Sequence, residues 1–181
     1  ESVNSTDQIK TLLGKNIFII TDKGLTELGL LEPAIKKIKI HSNVKIFDDV
    51  ESDPSKSTLL KAFETAKEFN STGVLGFGGG SSMDVSKLVS LLLGSNQDIE
   101  TIWGVNNTRG PRLPLVLIPT TAGTGSEVTP ISIITIEDKE KKGVSSKDII
   151  TELAILDTIL TNELLDKKTA STRRDSRVTE R

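Results

Sequence analysis

Gly73-Val-Leu-Gly-Phe-Gly-Gly-Gly-Ser-Ser-Met-Asp-Val-Ser-Lys87 is the stretch whose reading decides the fold. Val74, Leu75 and Phe77 form a short apolar run of the kind found in a buried strand. Gly78, Gly79 and Gly80 follow at once. Without Cβ atoms they allow positive φ and let a ligand approach the backbone closely. Ser81 reads as a helix N-cap, and Asp84, three residues on, completes a capping box. Val85, Leu88, Val89, Leu91 and Leu92 then mark an apolar helical stripe. A helix starting there would aim free N–H groups and a positive dipole end over the glycines, which suits a phosphate or pyrophosphate. The plainer alternative is a tight turn and a capped helix with no ligand.

Two strand and helix pairs precede this stretch. Asn16-Ile-Phe-Ile-Ile-Thr21 is a continuous apolar run, as expected of a strand covered on both faces. Asp22-Lys-Gly24 turns the chain. Leu28, Leu31, Ile35 and Ile38 lie at helical spacing, with Pro33 placed to split or restart the helix. Val44-Lys-Ile-Phe47 is a second strand, Asp53-Pro-Ser55 a loop and cap, and Leu59 to Phe69 a second helix. The β-α-β-α-β-α order predicts an α/β fold with a doubly wound, mostly parallel sheet.

Beyond Gly94, a basic, proline-marked loop (Arg109 to Pro114) leads into Leu115-Val-Leu-Ile118, a fourth buried strand. It ends in Pro119-Thr-Thr-Ala-Gly-Thr-Gly-Ser-Glu127, a loop with two glycines and four hydroxyl side chains. Ile131 to Ile136, followed by a turn over Glu137 to Gly143, predicts a β-hairpin, and Leu153 to Leu156 a final strand. From Thr169 the pattern breaks. Apolar residues almost vanish, and Arg173, Arg174, Arg177 and Arg181 cluster at the end. The expected organisation is therefore a domain over residues 1–168 and an aberrant or disordered tail over 169–181.

The 181 residues are 35% hydrophobic and 27% charged, with a net charge of −2. No basic field points to nucleic acid. No apolar run approaches the ~20 residues of a membrane span. Cysteine is absent and there is one histidine, so disulfides and thiolate metal sites are excluded. No secretory signal is visible, although the chain starts at Glu1 without an initiator Met; the expected location is cytoplasmic.

In open α/β sheets, ligands sit outside the carboxyl ends of the strands. Asp22, Gly78–Ser82 and Thr120–Ser126 all fall there. An acid at a strand end can accept from both hydroxyls of an adenosine ribose and repels a 2′-phosphate. Asp22 also suits ordinary turn chemistry, and the threonines could satisfy only their own loop. The acid precedes the glycines here, so this is not the regular dinucleotide fingerprint. His41, in a polar context between a helix and a strand, reads as a surface residue. Trp103 reads as packing, and the charged run from Glu137 to Lys142 as a solvated hairpin tip.

Gly78 to Lys87 and Pro119-Thr-Thr-Ala-Gly-Thr-Gly-Ser-Glu-Val-Thr-Pro130 resemble the two signature segments of the iron-containing (group III) alcohol dehydrogenases. The resemblance runs from about Lys15 to Thr172 and covers that family's N-terminal domain. It implies a Rossmann-like nucleotide domain followed in the family by an all-helical domain, with the cofactor in the cleft between them. The implied activity is NAD- and metal-dependent (Fe²⁺ or Zn²⁺) interconversion of a small alcohol with its aldehyde or ketone. By position, Asp22 would select NAD at the ribose. Gly79, Gly80 and Ser81 would form the pyrophosphate turn, with Asp84 in the same segment. Thr120 and Thr121 would lie beside the pyrophosphate and nicotinamide, with Thr129 further along. Lys141, with Lys142 as the neighbouring alternative, would reach the nicotinamide ribose, and Leu160 would lie near the adenosine.

The chain departs from the pattern at Asp53, where many members have Asn, and at Thr151, where Pro is usual. It also departs at the end. There the family's Gly-x-Asp-x-x-x-His supplies two metal ligands. Asp175 keeps the first position, but Thr179 stands for the His, and the helical domain with two further histidines is absent. One His and no Cys make a three-histidine site impossible in one chain. The expectation is thus the nucleotide-binding part of an NAD-dependent alcohol dehydrogenase, inactive alone and with no evident general base. Its partners would be NAD(H) and a small alcohol or aldehyde, with no nucleic acid and no membrane; a homodimer is left open. The alternatives are a non-catalytic nucleotide-binding or interaction module and a dehydroquinate synthase-like enzyme.

Overall fold

The computed structural model describes residues 2–121 and 123–156. The elements run α1 (Ser2–Leu13), β1 (Asn16–Ile20), α2 (Lys23–Glu27), α3 (Glu32–Ile38), β2 (Asn43–Phe47), α4 (Lys56–Glu68), β3 (Gly73–Gly78) and α5 (Gly80–Ser95). After α5 come β4 (Gly104–Val105), β5 (Leu115–Pro119), β6 (Ile131–Thr135), β7 (Lys141–Ser145) and β8 (Leu153–Ala154). The expected tail, Leu160 and Asp175 lie outside the described residues. Among the described residues, no helix is long and apolar enough to cross a membrane.

Five strands form one parallel sheet in the order β2-β1-β3-β5-β8. Every residue of β3 and β5 is buried, because helices cover both faces. Side chains alternate between two cores. Phe18, Ile20, Val74, Leu115 and Leu117 pack with Leu59, Ala62 and Ala66 of α4 and Val85, Leu88 and Val89 of α5. Ile17, Ile19, Leu75, Phe77, Val116 and Ile118 pack on the other face with Ile9 and Leu13 of α1, Leu25 of α2 and Ile38 of α3. The chain changes direction across the sheet between β1 and β3, which is the place where open α/β sheets leave a crevice.

The helical stretch after β1 divides, as the placement of Pro33 allows: Gly29 adopts φ +67°, and Pro33 sits in the first turn of α3. Other local details differ from the sequence reading. The hairpin turn is shorter than expected, because Lys141, Lys142 and Gly143 pair with Thr135, Ile134 and Ile133. The hairpin also gains a third strand. Gly104 and Val105 pair in parallel with Val144 and Ser145, a contact too short to leave a periodic signal. Helix α5 begins at Gly80 with Gly79 as its cap, so Ser81 is not the cap and the expected capping box with Asp84 does not form. Asp84 instead accepts from Ser126 of the loop after β5 and from Ile133 of β6.

Val74, Gly76 and Gly78 share the β3 face that α5 covers. A Cβ at Gly76 would stand 2.6 Å from Leu117 Cδ2 and 2.7 Å from Ser86 Oγ. At Gly78, where φ is +149°, a Cβ would meet Ser82 Oγ at 2.8 Å. The helix therefore lies close to the strand because two strand positions carry no side chain. Gly76→Ala should cost about 1–3 kcal/mol through overpacking. A urea-unfolding midpoint within error of the wild type would show that this contact has slack.

Candidate functional site

A groove of about 750 Å³ opens over the carboxyl ends of β1, β2, β3 and β5, within the usual range for a small-molecule site. Each strand end contributes a wall. The turn after β1 supplies Asp22 to Leu25. Asp22 has an extended backbone and caps α2, its Oδ1 accepting the Leu25 N–H at 3.1 Å. The turn residue and the groove residue are thus one and the same.

The loop after β2 supplies Val50, Glu51 and Ser52. Glu51 Oε1 accepts the Ser55 N–H at 2.9 Å and the Thr58 hydroxyl at 2.8 Å, anchoring the start of α4. Burial is the largest single influence on Glu51 and pushes its carboxyl up. Hydrogen bonds from backbone N–H groups and the Thr58 and Ser55 hydroxyls together outweigh it and leave the carboxyl below its ordinary value.

Gly79, Gly80, Ser81 and Ser82 form the third wall. Gly80, Ser81 and Ser82 open α5, so their N–H groups have no carbonyl one turn back to bond. Facing them are Thr120, Thr121 and Thr124 at the end of β5. A Cβ on Gly79 would approach Thr121 Oγ1 to 3.5 Å, and one on Gly80 would approach Thr124 Cγ2 to 3.5 Å. Side chains there would fill the groove without clashing. Thr121 Oγ1 is buried and has no hydrogen-bond partner among the described residues. A buried hydroxyl of this kind calls for a ligand or water to satisfy it. Free helix amides, a glycine turn and an unpartnered hydroxyl on one crevice fit a phosphate-bearing ligand.

Asp84, Thr129 and Lys141 are not on the groove lining. Lys141 Nζ pairs with Asp53 Oδ1 at 2.6 Å, beside the Glu51–Ser52 wall, while Lys142 lies 6.0 Å over the Trp103 ring. Asp53 has φ +55°, a left-handed conformation that Asn and Asp tolerate better than most residues. His41 is exposed between α3 and β2. Thr129 offers its carbonyl to Lys87 at 3.0 Å.

Asp84 and Lys87 form a second polar cluster behind the groove. The Lys87 side chain is fully buried, that of Asp84 is 16% exposed, and their charged atoms stand 3.8 Å apart. Lys87 Nζ donates to Ser126 Oγ at 3.0 Å, Thr129 O at 3.0 Å and Ile131 O at 2.8 Å. Asp84 accepts the Ser126 hydroxyl at 2.6 Å and the Ile133 N–H at 3.0 Å. Burial pushes the Lys87 ammonium down, opposed by Asp84 and Glu127. It pushes the Asp84 carboxyl up, opposed by Ser126, Ile133 and Lys87.

The family model for iron-containing alcohol dehydrogenases matches residues 1–158. The chain belongs to that family. It is 36% identical over 170 residues to a sulfoacetaldehyde reductase of Bilophila wadsworthia, covering 93% of this chain and 44% of the relative. It is 34% identical to an NAD-dependent methanol dehydrogenase of Bacillus methanolicus, covering 90% of this chain and 42% of the relative. Among solved structures, an iron-containing alcohol dehydrogenase of Thermotoga maritima superposes with a TM-score of 0.78 at 36% identity, covering 88% of this chain and 44% of that one. A sulfoacetaldehyde reductase of Bifidobacterium kashiwanohense in complex with NAD⁺ superposes with a TM-score of 0.77 at 29% identity, covering 86% and 42%. The chain thus spans about two fifths of the length of these iron-containing alcohol dehydrogenase relatives.

Among the described residues, no group of three or more His, Cys, Asp or Glu could hold a metal ion. The described residues therefore do not fit the family's metal, and no catalytic step is assigned to one.

Sequence reasoning missed the β2 wall, although the strand-end rule that picks out the other walls applies equally to β2. It also gives Lys87 no role, although a lysine within an apolar helical stripe is itself a signal of a buried pair. Asp84→Ala should destabilise the fold by about 3 kcal/mol, because it leaves the Lys87 ammonium buried without its counter-charge. Urea unfolding measures the loss, and a change under about 0.5 kcal/mol, the range of a neutral surface substitution, would show that the pair contributes little.

Proposed function

We propose that this chain is the NAD(H)-binding part of a metal-dependent alcohol dehydrogenase, and that alone it binds cofactor without turning over a small alcohol or aldehyde. The observation that carries the reading is the groove at the β1/β3 crossover. There the free amides of α5 and the glycine turn line one space with Thr121, whose unpartnered hydroxyl is buried at its edge. Two comparisons support it: a related methanol dehydrogenase is NAD-dependent, and a structural relative is an NAD⁺ complex.

When bound, the nicotinamide supplies the hydride chemistry that the protein lacks. The chain's own residues bind and orient. The amides of Gly80, Ser81 and Ser82 would take the pyrophosphate, with the positive end of α5 behind them. Asp22 would accept from the adenosine ribose hydroxyls and oppose a 2′-phosphate. Thr121 would donate its hydroxyl to the cofactor beyond the pyrophosphate. The 181 residues contain one His and no Cys, so they cannot supply a three-histidine metal site, and this supports binding without turnover for the chain by itself.

Titration with NADH and NADPH tests the reading. NADH should bind at least tenfold more tightly, since close like charges in a partly screened site cost on the order of 1–4 kcal/mol. Asp22→Asn keeps an oxygen for the α2 cap and should narrow the gap. Gly79→Val should abolish binding with the helix content retained. Equal affinities for the two cofactors would remove Asp22 from its role. Normal binding by Gly79→Val would place the pyrophosphate elsewhere.

A further inference from the structure

We propose that Lys87, Asp84 and Ser126 form a latch that sets the spacing between the glycine turn and the threonine loop, making Lys87 a positioning residue for the far half of the dinucleotide. The inference rests on the nucleotide reading of the groove.

Two glycines of the loop from Thr120 to Ser126 stand clear of other residues. Gly123 and Gly125 adopt φ +105° and +62°, and a Cβ on either would meet nothing within 4 Å. The loop is tied to the body of the fold at its two ends. At one end the Thr120 N–H donates to Gly78 O at 2.9 Å. At the other, Ser126 Oγ is held between Lys87 Nζ and Asp84 Oδ1 at 3.0 and 2.6 Å. Both holding residues belong to α5, whose first turn is the opposite wall.

Lys87 is suited to this task. An ammonium has three protons and no acceptor, and each proton has a partner on the segment from Ser126 to Ile131. Asp84 extends the grip to Ile133, and its own carbonyl accepts the Ser132 hydroxyl at 3.0 Å. The helix that offers its amides to one part of the ligand thus also holds the loop that offers Thr121 to the other. A shift of α5 carries both walls together.

A simple stabilising role and a positioning role differ in which part of the ligand they affect. AMP would occupy the Asp22 end and the glycine turn, while NADH also reaches the threonine loop. Lys87→Met and the milder Ser126→Ala are compared with the full wild-type chain by titration with NADH, followed by its fluorescence, and with AMP. Each is measured at a temperature where circular dichroism shows the protein folded. The expected result is a loss of NADH affinity of at least tenfold for Lys87→Met and about threefold for Ser126→Ala, with AMP affinity within twofold of wild type. Bound NADH should also lose part of its emission enhancement. If Lys87→Met does not fold, the Ser126→Ala comparison decides alone. Unchanged NADH affinity, or parallel losses for NADH and AMP, would overturn the latch. A wild-type chain that binds neither ligand would overturn the nucleotide reading itself, and the latch with it.

Discussion

Helix α5 lies against β3 because the strand face beneath it carries a side chain only at Val74. Gly76 and Gly78 leave no room for a Cβ between the strand and Leu117, Ser86 and Ser82. That close contact puts the first turn of α5 directly at the carboxyl end of the central strand, beside the β1/β3 crossover. The groove, the free amides that line it and the hairpin packed on the helix's far side all follow from where α5 sits. The glycine turn is thus one end of a longer packing solution, and the same residue type serves helix packing and ligand approach for the same reason: it leaves space.

The side of α5 away from the groove carries a more costly feature. Burying a carboxylate and an ammonium costs several kcal/mol for each ion. At 3.8 Å and an effective dielectric constant of about 20, their attraction returns only about 4 kcal/mol. The pair alone does not cover its own desolvation. Hydrogen bonds to Ser126, Thr129, Ile131 and Ile133 supply the rest, and all of them come from the end of the threonine loop and the segment that follows it. An apolar pair could have packed α5 against the hairpin. It could not have fixed the register of a glycine-rich loop by naming individual carbonyls.

The sheet was legible because its signals are strong and local. Continuous apolar runs at Ile17–Ile20 and Leu115–Ile118 can only be strands or helix segments, and their length and flanking turns decide for strands. The three strand-end groups that share the groove were legible for the same reason, since topology alone places them together. What the sequence hid depends on distant partners. Asp84 looks like a capping residue because Ser81 lies three positions before it, and nothing local reveals that Ser126 and Ile133 compete for it more strongly. Gly104 and Val105 carry no period, so their pairing with β7 is visible only in three dimensions. Lys141 could be placed on the hairpin, but not its reach to Asp53, whose left-handed backbone is equally a long-range outcome.

Amide chemical-shift mapping with NAD⁺ tests the central claim most directly, because it reports where the ligand sits. The account predicts that the largest shifts fall on Asp22 to Leu25, Gly78 to Ser82 and Thr120 to Thr121, with smaller ones at Ser126 through the latch. Shifts confined to the cleft between α1 and β8, lined by Asp7, Thr11 and Glu152, or no shifts at millimolar NAD⁺, would contradict it.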